Sequence, residues 1–403
     1  MEPPASPQRF PLPFPPRRLD RRGVEIVRRL QEAGHEAYFV GGCVRDLLLG
    51  RRPKDFDIAT SARPGQVRRL FRRSRIIGRR FKLAHVYSGR QVFEVATFRA
   101  APPELDGEEV DIIRDDNTFG SAREDAWRRD FTVNGLFLDP SRGEIVDWVD
   151  GVQDVERRRL RTIGDPRVRF QEDPVRILRL VKFLRRLGLE PGRREVRAAR
   201  ELAPEVARSA PPRVAEEILR LMLTGDMEGV LEDLRALGLL ELVLPEIHAW
   251  LRRDPGNLEL LRGHFRVLDE WVREGGEPSY GLRLAVLFGP LVESEFHPAT
   301  RTLEARDPGQ IPARVLGPFQ ARARLPRAAL SRAARILLTQ LRLDPPEGLK
   351  RRRRKAQLEK LLDQEYFPEA LDYLRCRLEA RGRDLTLYDE WHERALFREA
   401  ETR

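Results

Sequence analysis

The chain has 403 residues, with 75 Lys plus Arg against 64 Asp plus Glu and a net charge of +11. Such a surplus speaks about partners rather than fold and puts nucleic acid first among them. No apolar run approaches the roughly 20 residues needed to span a bilayer, and the opening MEPPASPQRFPLPFPPRR lacks the apolar stretch of a signal peptide. With only Cys43 and Cys376 and no CxxC pair, neither a disulfide framework nor a structural zinc site is expected, which fits the cytoplasm.

Residues 1–22 are rich in Pro and Arg and read as a tail that is disordered, or ordered only against a partner. VEIVRRLQEA, from Val24, has helical periodicity. EAYFVGGCVRD reads as a strand, a glycine turn and the start of a helix through VRDLLLG. PKDFDIAT reads as a strand, and PGQVRRLFRR as a short basic helix begun by its proline. AHVYSGRQVFEVATF is a hairpin with a Ser-Gly turn, and GLFLDPSRGEIVDWV is a second strand pair. These elements make an α/β unit over 23–150. Strand signals then stop. DPVRILRLVKFLRRLGL places Val175, Leu178, Val181, Leu184 and Leu187 at helical spacing, and further helices are expected at VAEEILRLMLTG, GVLEDLRALGLLELVLP, NLELLRGHFRVLDEWVREG and AALSRAARILLTQLRL. The expected fold class is α+β: a small mixed sheet with flanking helices, then an all-α neck (151–225) and body (226–403).

Asp55 and Asp57 flank a phenylalanine, and alternation along a strand puts them on one face. Two carboxylates on one face repel, so a cation belongs between them. A carboxylate pair suits Mg²⁺, which keeps water and phosphate oxygens in its remaining positions. A lone DxD is also an ordinary solvent-facing strand. Here Gly41 and Gly42 stand upstream at a strand-to-helix turn, where backbone N–H groups can approach a phosphate, and Arg45 follows one turn later. Glu94 sits in the apolar VFEVATF and needs a partner or a metal. It is either a third acid close to the Asp pair or the exposed partner of Arg99. RRDFTVNG offers Arg129 for phosphates, with Asp130 and Asn134 for a ribose. Asp173 and Arg176 are three apart on a helix and form a donor-and-acceptor edge for a nucleobase, with Arg179 and Lys182 continuing the row. Each of these clusters taken alone could be a solvated helix face.

In order, GGCVRDLLLG, PKDFDIAT, FEVATFR, RRDFTVNG and RFQEDPVRILR resemble the class II nucleotidyltransferases, the family of bacterial poly(A) polymerases and CCA-adding tRNA nucleotidyltransferases. The resemblance is close over Tyr38 to Leu189 and loose beyond. It implies that Asp55 and Asp57 bind two Mg²⁺ ions and that Glu94 and Asp130 are acids of the catalytic site. Gly42, Arg45 and Arg129 would then contact the nucleotide, and Asp173 and Arg176 would read the incoming base. Lys182 departs from the arginine often found at its position. The implied reaction is attack by an RNA 3′-hydroxyl on the α-phosphate of ATP.

Within the family, IIGRRFKLAHV and DNTFGSAREDAWRRDF look like the polyadenylating branch. The run Lys350, Arg351, Arg352, Arg353, Arg354 and Lys355 supplies phosphate contacts that do not read sequence. The expectation is therefore AMP addition to RNA 3′ ends, with CCA or A addition to tRNA as the alternative. A non-enzymatic RNA-binding protein needs the charge but not the Asp pair. A small-molecule nucleotidyltransferase has the pair but no use for a long basic helical region. A His-Asp phosphohydrolase is disfavoured, because the six histidines include no His-Asp dipeptide. Protein partners in RNA degradation or RNA chaperoning are left unspecified.

Overall fold

The computed structural model describes residues 6–78, 82–100, 118–296, 308–344 and 360–402. The chain forms two compact units, Met1–Glu172 with Leu189–Ala198, and Asp173–Gly188 with Ala199–Arg403.

In the first unit the order is β1 (Gln8–Pro11), α1 (Arg21–Glu32), β2 (Ala37–Val40), α2 (Gly42–Leu48), β3 (Ile58–Thr60), α3 (Pro64–Leu70), β4 (Ser74–Ile77), β5 (Leu83–Ser88), β6 (Gln91–Thr97), α4 (Ala122–Trp127), β7 (Leu136–Asp139) and β8 (Glu144–Asp147). The strands make one eight-stranded mixed sheet in the order β1-β8-β7-β2-β3-β6-β5-β4. Only β3 and β6 run parallel; every other pair is antiparallel. Asp20 starts α1 by accepting from the N–H groups of Arg22 and Gly23, which satisfies donors that a helix start leaves open. Gly23 is required because a Cβ there would come within 2.8 Å of the Phe39 ring. The core holds Val40, Phe98, Phe137, Val146 and Trp148, with Phe137 edge-on to Trp148 at 5.3 Å between ring centroids. Burying each such ring stabilises the fold by roughly 1.5–3 kcal/mol.

Two boundaries differ from the sequence expectation. The segment expected to be disordered over 1–22 is ordered from residue 6. Gln8–Pro11 pairs with Glu144–Asp147, and Phe14 and Leu19 are buried. Its proline closes an edge strand, where a missing N–H costs no ladder bond. The first unit also runs on to Glu172 rather than ending at 150. Buried Asp154, in α5 (Gly151–Glu156), accepts from the Thr132 hydroxyl at 2.6 Å and from Arg161 at 2.7 Å, which ties the segment to the turn before β7. The unit continues through β9 (Arg159–Leu160) and α6 (Pro166–Glu172).

The second unit begins with α7 (Val175–Leu187), whose expected apolar stripe is buried at Val175, Leu178, Val181 and Leu187. The chain returns to the first unit for β10 (Glu190–Pro191), parallel to β9, and for the start of α8 (Arg193–Leu202). Helices α9 (Pro211–Leu221), α10 (Met227–Ala236), α11 (Leu239–Val243), α12 (Pro245–Leu251), α13 (Gly256–Arg273), α14 (Tyr280–Phe296), α15 (Ile311–Ala323), α16 (Arg327–Leu343), α17 (Phe367–Glu379) and α18 (Thr386–Thr402) follow. The α14 helix is buried at every residue from Gly281 to Val292, and α13, α15, α16 and α17 pack on it. No helix among the described residues is long and apolar enough to cross a membrane.

Candidate active site

The site is built where β2 ends. Gly41 has φ +71° and precedes α2. A Cβ there would lie 2.8 Å from a terminal nitrogen of Arg129, so both the backbone conformation and the close approach demand glycine. Gly42 opens α2, which is only seven residues long.

Asp55 and Asp57 lie on the extended segment that enters β3 rather than within it; the Asp57 carbonyl accepts from Val40 N–H at 3.0 Å. Phe56 packs on Phe39 at 5.2 Å between centroids, while both carboxylates face solvent. That is the one-sided arrangement expected from their spacing. Neither has a salt bridge or a side-chain hydrogen bond among the described residues. Surrounding protein, then the charge of Glu94, then that of Asp55 push the pKa of Asp57 up to about 6, with Arg129 opposing. The carboxylate reaches the cleft mouth, where water screens part of this effect. The neighbouring Cys43 thiol is pushed up to about 12, mainly by burial, and is inert.

Asp57 and Glu94 line one cleft of about 250 Å³, together with Val40, Thr97, Arg128 and Arg129. Glu94 is mostly exposed and stands opposite His85 across the β5–β6 ladder, 3.5 Å from its Nε2. Glu94 thus stands in the same cleft as Asp57, with His85 rather than Arg99 as its neighbour. Arg129 is aimed by Asp125, which accepts from two of its nitrogens at 2.8 and 3.2 Å, and by the Asn134 carbonyl. Arg169 of α6 fixes the same turn by donating to the carbonyls of Arg128 and Arg129.

Arg45, Asn134 and Asp130 form a chain of side-chain hydrogen bonds. Arg45 is 4% exposed and donates to Asp46 and to the Asn134 side chain. Asn134 in turn donates to Asp130 at 3.0 Å, and Asp130 also accepts from Phe131 N–H. These side chains form a buried network under the glycine turn and are not presented to the cleft. A buried guanidinium must be paired, and Asp46 is the partner that supplies the charge.

The fit of a divalent cation follows from the donor set. Asp55, Asp57 and Glu94 concentrate negative charge that Arg129 opposes only in part, and carboxylate oxygens are the ligands Mg²⁺ takes. Among the described residues no group of three His, Cys, Asp or Glu side chains converges on one metal position. The Asp pair would thus need substrate or water oxygens to complete the shell.

Asp173, Arg176, Arg179 and Lys182 belong to the second unit. Asp173 precedes α7, and one of its oxygens accepts from Arg213 of α9 at 2.7 Å. Lys182 is paired within the second unit. It is 7% exposed and 2.5 Å from Glu217 of α9, which also pairs with Arg179 at 3.5 Å. Burial, then Arg179, pushes Lys182 down to about 8, against the pull of Glu217. The run 350–355 lies outside the described residues, as do 79–81 of the GRRF stretch. Sequence reasoning missed Asp125, Asp46, Arg213 and Glu217. Only Asp125, four residues before Arg129 on a helix, carried a local signal.

Residues 37–161 match the family model of the poly A polymerase head domain, and residues 193–251 match that of the probable RNA and SrmB-binding site of polymerase A. Poly(A) polymerase I of Haemophilus influenzae is 43% identical over 243 residues, covering 58% of this chain and 54% of that protein. The CCA-adding enzyme of Bacillus pumilus is 43% identical over 167 residues, 41% of each chain. The crystal structure of the Bacillus stearothermophilus CCA-adding enzyme in complex with CTP superposes with a TM-score of 0.66 at 27% identity, over 96% of this chain and 83% of that one. The chain spans about half the length of the curated relatives it matches. By these matches residues 37–161 resemble a poly A polymerase head domain, and the chain is similar both to bacterial poly(A) polymerases and to CCA-adding enzymes.

Proposed function

We propose that this chain is a template-independent RNA nucleotidyltransferase that transfers AMP from ATP to RNA 3′ ends. The observation that carries this reading is the exposed Asp55–Asp57 pair, which shares a charge cluster with Glu94 beside Arg129 and the glycine turn. In the reaction the RNA 3′-oxygen forms a bond to the α-phosphorus, the bond to the β-phosphate oxygen breaks, and pyrophosphate leaves. Asp55 and Asp57 would hold Mg²⁺, which supplies charge stabilisation at phosphorus and a more acidic 3′-hydroxyl. Arg129, pre-aimed by Asp125, pairs with phosphate oxygens without having to reorganise. Gly41 leaves room for a phosphate chain against the backbone. The Arg45–Asn134–Asp130 network keeps that turn rigid. Asp173 and Arg176 read the base, with Arg213 holding Asp173 in place. RNA contacts are assigned to 193–251 on the description of the matching family model, and to the basic run at 350–355. Cys43 and Cys376, both free and buried, fit a cytoplasmic enzyme.

CCA or A addition to tRNA is the second reading, supported by the likeness to CCA-adding enzymes. The test offers one nucleotide at a time to a generic RNA and to a tRNA trimmed of its last three nucleotides. Long ATP-dependent ladders on the generic RNA are expected. Ordered CTP-then-ATP addition confined to the tRNA would replace the first reading with the second.

A further inference from the structure

Between Asp57 and Glu94 the chain contains no acidic residue, yet it contains ten arginines and lysines. Most of this stretch folds into α3, β4 and β5, the free edge of the sheet next to the cleft. Arg68, Arg69, Arg72, Arg73, Arg75 and Arg90 are exposed and have no ion pair among the described residues. Several arginines of the second unit are matched instead: Arg262 faces Glu228, Glu232 and Glu259, and Arg332 faces Glu365 and Glu369. An unmatched patch of one sign is costly in self-repulsion unless an anion meets it.

The strand register shows where that anion would run. Directly paired residues share a face, and three cross-strand rows lie on the face that is not packed. The first is Ile77–Leu83–Ala96, the second Arg75–His85–Glu94, and the third Arg73–Tyr87–Val92, with Tyr87 N–H bonded to the Arg73 carbonyl at 2.9 Å. Leu83, Ala96 and Glu94 also line the cleft. Tyr87 and Val92 are 38% and 44% exposed. The face therefore starts at the cleft and ends about 13 Å away, four residues along the strands, at an exposed aromatic ring flanked by arginines.

We propose that this open face of β4, β5 and β6 is the track for the single-stranded 3′ end of the RNA being extended. Arg73 and Arg75 meet its phosphates, and Tyr87 stacks on one of its bases. Stacking on an aromatic ring and phosphate contacts by arginine are the two sequence-tolerant ways of holding a single strand. This inference rests on the nucleotidyltransfer reading and adds a binding surface that neither the 193–251 match nor the 350–355 run includes.

The experiment measures the affinity of the full chain for a single-stranded RNA 20-mer across a salt series, alongside AMP incorporation and KM for ATP. R73Q/R75Q is expected to bind RNA at least tenfold more weakly at low salt. Its slope of log K against log salt should be shallower by about 1.4, at about 0.7 for each single-strand phosphate that is no longer neutralised. Y87A should weaken binding about fivefold or more, and Y87F should restore it. KM for ATP should not change in any variant. RNA affinity and salt slope equal to the wild type in both R73Q/R75Q and Y87A would overturn the track, and would leave an acidic protein as the occupant of the patch. A matching rise in KM for ATP would also overturn it, by placing the damage in the cleft. An unmodified chain that incorporates no nucleotide would refute the underlying reading instead.

Discussion

The cleft of the first unit and the α7–α9 pair of the second treat their charges in opposite ways. Around Asp57 the carboxylates of Asp55 and Glu94 gather with Arg129 opposing, and Asp55 and Asp57 have no ion pair among the described residues. Along α7, Asp173 meets Arg213, while Lys182 and Arg179 meet Glu217. Both regions read as charged motifs in the sequence. The difference teaches that an unbalanced cluster is poised for a ligand, whereas a balanced one holds helices in place.

The strongest way to break this comparison is Asp57→Asn. If the unbalanced cluster works on the substrate, AMP incorporation should fall about 10³-fold, the scale of removing one preorganised electrostatic interaction, with the unfolding midpoint unchanged or raised. Incorporation within threefold of wild type would dissolve the distinction. The balanced side is probed by Glu217→Leu, which strands Lys182 in a buried position. Urea unfolding should show a loss of about 3 kcal/mol, most of it recovered in Lys182→Met/Glu217→Leu.

The same lysine sharpens the comparison through pH. Its folded pKa of about 8 lies below the ordinary 10.5, so between those values the unfolded chain binds more protons than the folded one. Stability from this group therefore rises from pH 8 to pH 10.5, and unfolding of wild type against Lys182→Met over that window should show it. A flat difference would mean that Glu217 balances burial. The smallest effect is expected from Gly41→Ala, which forces a left-handed backbone at a cost of about 1–2 kcal/mol and presses on Arg129. KM for ATP should rise more than stability falls.

The parts of this arrangement that depend on local pattern were legible. The β5–β6 hairpin, the Asp55–Asp57 alternation and the α7 stripe all follow from periods of two or 3.6. What depends on distant partners was not. The Arg45 guanidinium bonds to Asn134, 89 residues away, and Lys182 to Glu217, and neither partner has a local signal. Helix α14 carries Gly289 and Pro290 inside an unbroken apolar run, so it shows no polar face to mark its period. Strand β1 was hidden because prolines around four residues of edge pairing read as disorder.

The path of the chain sets the terms for dividing it. It leaves the first unit at Glu172, traverses α7, and comes back for Leu189–Ala198. That return includes Glu195, 6% exposed, whose carboxylate accepts from Thr162 N–H at 3.2 Å. A fragment stopped at Glu172 would strip Thr162 of this acceptor and β9 of its neighbouring strand. Grafting the first unit onto another scaffold therefore requires a junction after Ala198, with α7 carried along as an excursion.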